Sequence, residues 1–283
     1  VNSSVVGSYI GNNNLINGFA SYYSAVSSSY GVGFGLSKST VSNNTAASVA
    51  GVIIRGSNSS VINSTISGNT ADMVGGLAFI DYAPTQSAII HSTISNNEGG
   101  LAGGVYAVTD SPDSMVLNHN IISGNTLTPP PPGVELKPLV EGRTITPLGG
   151  GPQPVEMYAT PTIELDGFNV FGRNGNSGVA GQLIGASDVI PTGATSTVIE
   201  PLANNGGITP THLPVQSGDA VDLGTPFCLE KTDQLDRIRP WNGASSGTPL
   251  CDAGAIELNS VAESDLIFKD GFDPLIILRR TLK

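Results

Sequence analysis

Two histidines, His91 and His119, stand 28 positions apart in this chain, and Asp110 and Asp113 lie just before the second. A carboxylate beside two imidazoles can bind a metal ion or tune a general base. One reaction that would use such a set is elimination across a uronic acid. It needs a cation to neutralise the sugar carboxylate and a Lys, Arg, His or Tyr to take the adjacent proton. Within residues 1–126 the basic candidates are Lys38, Arg55, His91 and His119. Glycoside hydrolysis needs instead two carboxyl groups about 5 to 10 Å apart. Asp72 and Asp81 are available for that, but the Asp-Asp, Gly-His-Gly and Arg-x-Lys motifs of polygalacturonases are missing. The competing reading puts both histidines at an exposed corner equivalent to Asn63, polar and solvated. A third chemistry is suggested by Thr40-x-Ser42, Thr65-x-Ser67 and Thr93-x-Ser95, which would form a flat outward array of hydroxyls, although Ile121-x-Ser123 breaks the row. Ordinary surface-facing strand residues account for it better.

The elements that must position these residues are set by a repeat. Ser39-Thr-Val-Ser-Asn-Asn-Thr45, Ser64-Thr-Ile-Ser-Gly-Asn-Thr70, Ser92-Thr-Ile-Ser-Asn-Asn97 and Ile121-Ile-Ser-Gly-Asn-Thr126 are copies of one unit, with a weaker copy at Tyr9-Ile-Gly-Asn-Asn13. Aligned on the aliphatic residue, Ile10, Val41, Ile66, Ile94 and Ile122 are spaced by 31, 25, 28 and 28, and each is followed three positions later by Asn13, Asn44, Asn69, Asn97 or Asn125. Between them recur Gly31–Leu36, Ala50–Ile54, Gly75–Ile80 and Gly103–Val108, small residues followed by aliphatic ones. Short strands are also expected at Val61-Ile62, Ala88–Ile90 and Met115–Leu117. Such periods are too short for βαβ units and suit one coil of a parallel β-helix, in which each strand pairs with its counterpart one coil away, about 4.8 Å along the axis. Like residues then stack. The aliphatic files make a dry core, and the Asn files satisfy turn groups that would otherwise be unpaired.

The expected fold is therefore an all-β, right-handed parallel β-helix with an irregular, disulfide-closed C-terminal cap. Coils occupy residues 1–126, a Pro/Gly-rich insertion follows at 127–162, last coils at 163–200, the cap at 201–258 and a tail at 259–283. The insertion opens with Pro129 to Pro132, whose locked, donor-free backbone cannot sit inside a sheet. An open solenoid end exposes unpaired backbone and core, so a cover is needed there. Arg237 and Arg239, with Asp222, Asp233 and Asp252, are expected to pin it by charge-assisted hydrogen bonds, and Trp241 to pack within it. The two cysteines, Cys228 and Cys251, are expected to form a disulfide, with paired buried thiols as the alternative. With 12 Lys and Arg against 23 Asp and Glu, the net charge of -11 opposes binding to nucleic acid and anionic membranes. No apolar run approaches the roughly 20 residues of a membrane span, so no membrane insertion is expected. The chain opens at Val1 without a leader and reads as a mature or trimmed form.

From Ile163 onward the residues become distinctive: Ile199-Glu-Pro-Leu-Ala-Asn-Asn-Gly-Gly-Ile-Thr-Pro-Thr-His-Leu213, Ser217-Gly-Asp-Ala-Val-Asp-Leu-Gly224, Asp233-Gln-Leu-Asp-Arg-Ile-Arg-Pro240 and Cys251-Asp-Ala-Gly-Ala-Ile-Glu257. They resemble the C-terminal signature of the choice-of-anchor Q family of bacterial exported β-helix proteins. The sequence departs at Asp219-Ala-Val-Asp, where Ser-Pro-Ala-Ile-Asp is usual, and at Leu235. The resemblance implies a secreted or cell-surface location and a solenoid body, with little assigned biochemistry. The expected role is thus a non-catalytic adhesive or structural module whose partner is an extracellular polysaccharide or other surface polymer. A polysaccharide lyase or glycoside hydrolase working through His91, His119, Asp110 and Asp113 is the alternative. No cofactor is expected, calcium has no support in the sequence, and self-association through a sticky N-terminal end is a further expectation.

Overall fold

A computed structural model of the chain describes residues 3–15, 24–28, 33–80, 86–109, 115–128, 156–160, 163–165, 167–180, 183–244 and 247–262. The strands come four to a coil. The first coil holds β1 (Ser3–Val6), β2 (Tyr9–Gly11), β3 (Asn14–Leu15) and β4 (Val26–Ser28). The next holds β5 (Phe34–Ser37), β6 (Thr40–Ser42), β7 (Thr45–Ala46) and β8 (Val52–Arg55). The pattern repeats in β9 (Ser60–Ile62), β10 (Thr65–Ser67), β11 (Thr70–Ala71) and β12 (Leu77–Ile80), then in β13 (Ser87–Ile90), β14 (Thr93–Ser95), β15 (Glu98–Gly99) and β16 (Val105–Val108). After β17 (Met115–Asn118), β18 (Ile121–Ser123), β19 (Thr126–Leu127) and β20 (Met157–Thr160), the winding closes with β21 (Glu164–Leu165), β22 (Val170–Phe171), β23 (Val179–Ala180) and β24 (Leu183–Ile184).

Stacked along the axis, these strands form four long parallel sheets and one two-stranded parallel sheet, β21-β24. Sheet A is β1-β5-β9-β13-β17, sheet B is β2-β6-β10-β14-β18-β22, sheet C is β3-β7-β11-β15-β19, and sheet D is β4-β8-β12-β16-β20-β23. The register puts each aliphatic residue on its own counterpart: Ile10 on Val41, Val41 on Ile66, Ile66 on Ile94, and Ile94 on Ile122. These side chains join Leu36, Val61, Leu77, Phe79, Ile89 and Phe171 in one buried core that runs along the axis. Each buried aliphatic side chain contributes about 1.5–3 kcal/mol by leaving water, and stacking lets every coil share that gain with two neighbours. Where the coils pack most closely only glycine fits: a Cβ on Gly76 would lie 2.5 Å from the carbonyl oxygen of Gly104.

Three sequence expectations change in detail. The copy at Gly31–Leu36 belongs to sheet A, since Phe34–Ser37 is β5 and pairs with β1 and β9, while the first coil's strand in sheet D is β4, which pairs with β8. Small-then-aliphatic composition is common to both sheets and does not tell them apart. Residues 127 and 156–160 are not insertion: Leu127 lies in β19 and Met157–Thr160 pairs with β16 in sheet D. The polyproline run lies outside the described residues. Finally, the irregular segment from Val198 to Ala262 lies along the flank of the solenoid, over the outer face of sheet B, rather than over a bare end. Its contacts reach from Thr40 to Ile121 along that face. Cys228 and Cys251 are disulfide-bonded within it.

Candidate functional site

The corner between sheets A and B is two residues long, and its first residue turns through the left-handed region. Lys38, Asn63, His91, His119 and Phe168 occupy it in successive coils, with φ of 48°, 45°, 45°, 52° and 58°. The corner therefore stacks the two histidines, ring centroids 4.7 Å apart, and sets Phe168 5.2 Å beyond His119. They are not solvated: His91 is 0% and His119 2% exposed. The flanking segment seals them. Gly254 N–H donates to the His119 carbonyl at 2.7 Å, and Gly224 presses so close that a Cβ there would lie 1.9 Å from His119 Nε2. Burial, and next the positive charge of Arg239, push His91 well below the ordinary histidine range and hold His119 at about 4. Both imidazoles are neutral near pH 7; a backbone hydrogen bond to Asp252 opposes the shift of His91 only in part, and His119 Nε2 has no hydrogen-bond partner among the described residues. Asp110 and Asp113, the carboxylates expected beside them, lie outside the described residues. Among the described residues no cluster of three or more His, Cys, Asp or Glu is gathered as a metal site would require.

A second histidine site was invisible in the spacing of residue types. His212 Nδ1 lies 2.7 Å from the carbonyl oxygen of Glu200, which can only accept, so this nitrogen carries the proton. Nε2 then accepts from Ser67 Oγ at 2.8 Å. A hydroxyl on an oriented imidazole is the arrangement of an activated nucleophile. Exposure decides against that use here, because Ser67 is 3% and His212 2% accessible and a polymer cannot reach them. The pair instead pins the flanking segment to sheet B. Gln234 does the same nearby, accepting from Thr65 Oγ1 at 2.7 Å and donating to Thr40 and Thr209 at 2.8 and 2.9 Å. Thr40 in turn donates to Pro210 O, and Thr93 Oγ1 accepts from Ala255 N–H. The Thr/Ser rows are therefore not an outward hydroxyl surface; they are the seam along which the flank is attached.

Within the flank, the charges pair differently from the sequence expectation. Arg239 meets Glu257 at 2.7 Å, with both side chains fully buried, and donates further to the carbonyls of Asp252 and Gly254. Arg237 donates to the Asn205 carbonyl. Asp233 and Asp252 spend their oxygens on backbone N–H groups, those of Leu235, Arg237 and Glu257 for the first and of Asp222 and Leu258 for the second. Asp222 accepts from Ala244 N–H, and Trp241 N–H donates to Glu257. Irregular backbone has no sheet partners for its amides, so carboxylates take that role.

The asparagines form a buried ladder. The side-chain amides of Asn13, Asn44, Asn69 and Asn97 each donate to the next Oδ1 at 2.9 Å, and Asn125 donates to Glu156 at 2.6 Å. A parallel file runs Ser39, Ser64, Ser92, Asn120, Asn169 and ends on Asp188. Each file has a direction, with donors pointing toward the C-terminal coil, and each ends there on a carboxylate. Glu156 also accepts from Gly124 and Asn125 N–H, yet burial outweighs these bonds and raises its carboxyl to about 7. Nothing in the repeat spacing marks Glu156, because the long non-repeating stretch 129–155 separates it in sequence from the last copy of the Asn unit.

The outer face of sheet A differs from that of sheet B. Its outward rows, Ser4, Gly35, Ser60, Ala88, Val116 and Val6, Ser37, Ile62, Ile90, Asn118, are exposed or half-buried throughout. Residues 2–142 match the family model of the right handed beta helix region, and the chain is similar to that family there. No curated protein and no solved structure matches the chain.

Proposed function

We propose that this chain is a non-catalytic β-helix module of the cell exterior that binds a polysaccharide or similar surface polymer on the outer face of sheet A. The observation that carries this reading is the contrast between two faces of one solenoid. The residues suited to acid–base chemistry, His91, His119 and His212, are packed beneath the flanking segment, while sheet A keeps an uncharged, flat, coil-spaced surface open to water. Surfaces spaced in this way suit repeating ligands, since each coil presents a counterpart uncharged position about 4.8 Å further along. The disulfide supports export to an oxidising compartment, as does the resemblance of residues 163–257 to choice-of-anchor Q proteins.

The test is a panel of soluble and insoluble polysaccharides, scored for retention of the protein and for new unsaturated or reducing ends. Retention without new ends, lost on Ile62→Glu together with Ile90→Glu while Tm is unchanged, is the expected result. New chain ends that vanish in His119→Asn would replace this reading with a lyase, and absence of retention across the panel would remove the ligand class.

A further inference from the structure

One edge of the open sheet A face is built by the flanking segment. Gly224 presses on His119 at the corner between sheets A and B, and its N–H donates to the Cys251 carbonyl at 2.9 Å. Cys251 N–H donates in turn to the Thr225 carbonyl at 3.0 Å. One coil back, His91 is hydrogen-bonded to the backbone of Asp252, next to Cys251, which is the disulfide partner of Cys228. A further coil back, Asn63 Nδ2 donates to the Thr232 carbonyl at 2.7 Å, and beyond it Lys38 donates to Thr232 Oγ1 at 3.0 Å. Residues 224–232 therefore form a strap along this corner, covering the two coils from His119 to Asn63, about 10 Å. It runs where the cover over sheet B stops and the open face of sheet A begins.

Within the strap Cys228 is tied inward to the buried Cys251, while its two neighbours turn to water: Phe227 is 84% and Leu229 58% accessible. An apolar ring held in water contributes nothing to folding. The row of sheet A beside this corner is Ile62, Ile90 and Asn118, half-buried and one coil apart. Asn118 Oδ1 can only accept, so it takes the proton of His119 Nδ1, and its amide N–H groups remain as donors. Charge narrows what can lie here. The outward residues of these coils are uncharged, and the cations that reach the corner are already paired, Lys38 with Asp236 and Arg239 with Glu257. A uronic acid polymer would meet no free cation on this face, in a chain of net charge -11.

We propose that the ligand of this face is a neutral polysaccharide and that Phe227, held at the border by the disulfide-tied strap, is the residue on which its sugar rings stack. The proposal rests on the reading of sheet A as the polymer-binding face and names the class of polymer. A pyranose ring presents a face of C–H groups whose contact with a phenyl ring costs no hydroxyl its water. Ile62 and Ile90 continue that apolar contact along the axis, and Leu229 widens the border beside Phe227. Asn118 supplies a donor to a sugar hydroxyl. The strap is pinned by the disulfide and by backbone bonds before any ligand arrives, so little ordering has to accompany binding.

Affinity electrophoresis of the whole chain through gels containing mixed-linkage β-glucan, galactomannan, polygalacturonate or alginate tests this. Retardation by at least one of the two neutral polymers and by neither uronate polymer is expected. Phe227→Ala is expected to weaken it about tenfold at unchanged Tm, since the ring packs against nothing in the fold, and Phe227→Trp to preserve it. Thr70→Ala, on the exposed face of sheet C, is expected to change nothing. Retardation that survives Phe227→Ala but is lost in Ile62→Glu with Ile90→Glu would overturn the role of the strap and leave the sheet A reading standing. Stronger retardation by the uronate polymers would overturn the neutral class alone. No retardation by any of the four would overturn this proposal together with the reading on which it rests.

Discussion

The winding body and the segment that lies on its flank solve the same problem by opposite means. In the body the core aliphatic files and the Asn and Ser corner files meet their own kind one coil away, so a single solution, aliphatic inside and Asn or Ser at the corner, serves successive repeats. The flank has only isolated bridges and no repeated strand beyond Val198, and its backbone amides turn to Asp233, Asp252 and Glu257 instead. Periodic chain can distribute its polar burden over many weak identical bonds. Aperiodic chain concentrates it on a few buried charges, and should fail at single points.

The sharpest way to break that comparison is at Arg239. Its guanidinium is buried against Glu257 and two carbonyls, and its removal strands a carboxylate in the interior. Arg239→Leu is expected to cost about 3–5 kcal/mol. Hydrogen exchange should show the loss confined to the flank, with the amides of β6, β10 and β14 newly shifted only where Pro210, Gln234 and Ala255 covered their hydroxyls. Loss of protection spread evenly through the core strands would show that the two regions are one cooperative unit.

In the body, Ile94 is fully buried between Ile66 and Ile122, and Ile94→Ala is expected to cost about 2–5 kcal/mol in denaturant titration. The loss should appear in core strands on both sides of the cavity, because each coil is supported only by its neighbours. An effect no larger than that of an exposed-site control such as Ile208→Ala would deny the shared core.

These two sites also mark how far the sequence can be read. Ile94 announces itself: Ser-Thr-Ile-Ser recurs, the intervals to Ile66 and Ile122 are both 28, and stacking turns that interval directly into contact. The buried histidine pair was half legible, since its spacing gives the stack but nothing local reveals that Gly224 and Gly254 will cover it. Glu257 was not legible as the partner of Arg239, because the two meet through irregular backbone in which separation along the chain carries no geometric meaning. Glu156 was hidden for a related reason, as the non-repeating stretch 129–155 stands between it and Asn125, and sequence periodicity is lost across it.

A smaller effect is expected from the serine file. Ser64 Oγ accepts from Ser39 N–H at 3.3 Å and donates to the Ile62 carbonyl at 2.8 Å, one neutral link among many. Ser64→Ala is expected to lower stability by about 1 kcal/mol, measured as a shift in denaturant midpoint at constant slope. A loss comparable to that of Arg239→Leu would mean that the body too depends on single points.

The smallest net change should come from pH between about 4.5 and 6.5, because the two kinds of buried group titrate in opposite senses. His119 has its ordinary value of 6.5 when unfolded and about 4 when folded, and His91 and His212 are lowered in the same direction by burial. Over that interval the unfolded chain binds their protons, so these groups make stability rise with pH. Glu156 goes from 4.5 unfolded to about 7 folded, and Asp252 and Glu257 are raised by burial as well. Here the folded chain holds the extra protons, and stability falls as pH rises. The two trends offset until the unfolded histidines finish titrating near 6.5; above it only the carboxyl contribution remains. Tm followed from about pH 4 to pH 9 should therefore be nearly level at first and then decline through the region around pH 7. Glu156→Gln removes one carboxyl and should soften that decline, while between about 4.5 and 6.5 the histidine trend is less offset and Tm should rise more with pH. A Tm that climbs steadily through pH 7 would show that the buried carboxyl groups do not hold protons as their burial requires.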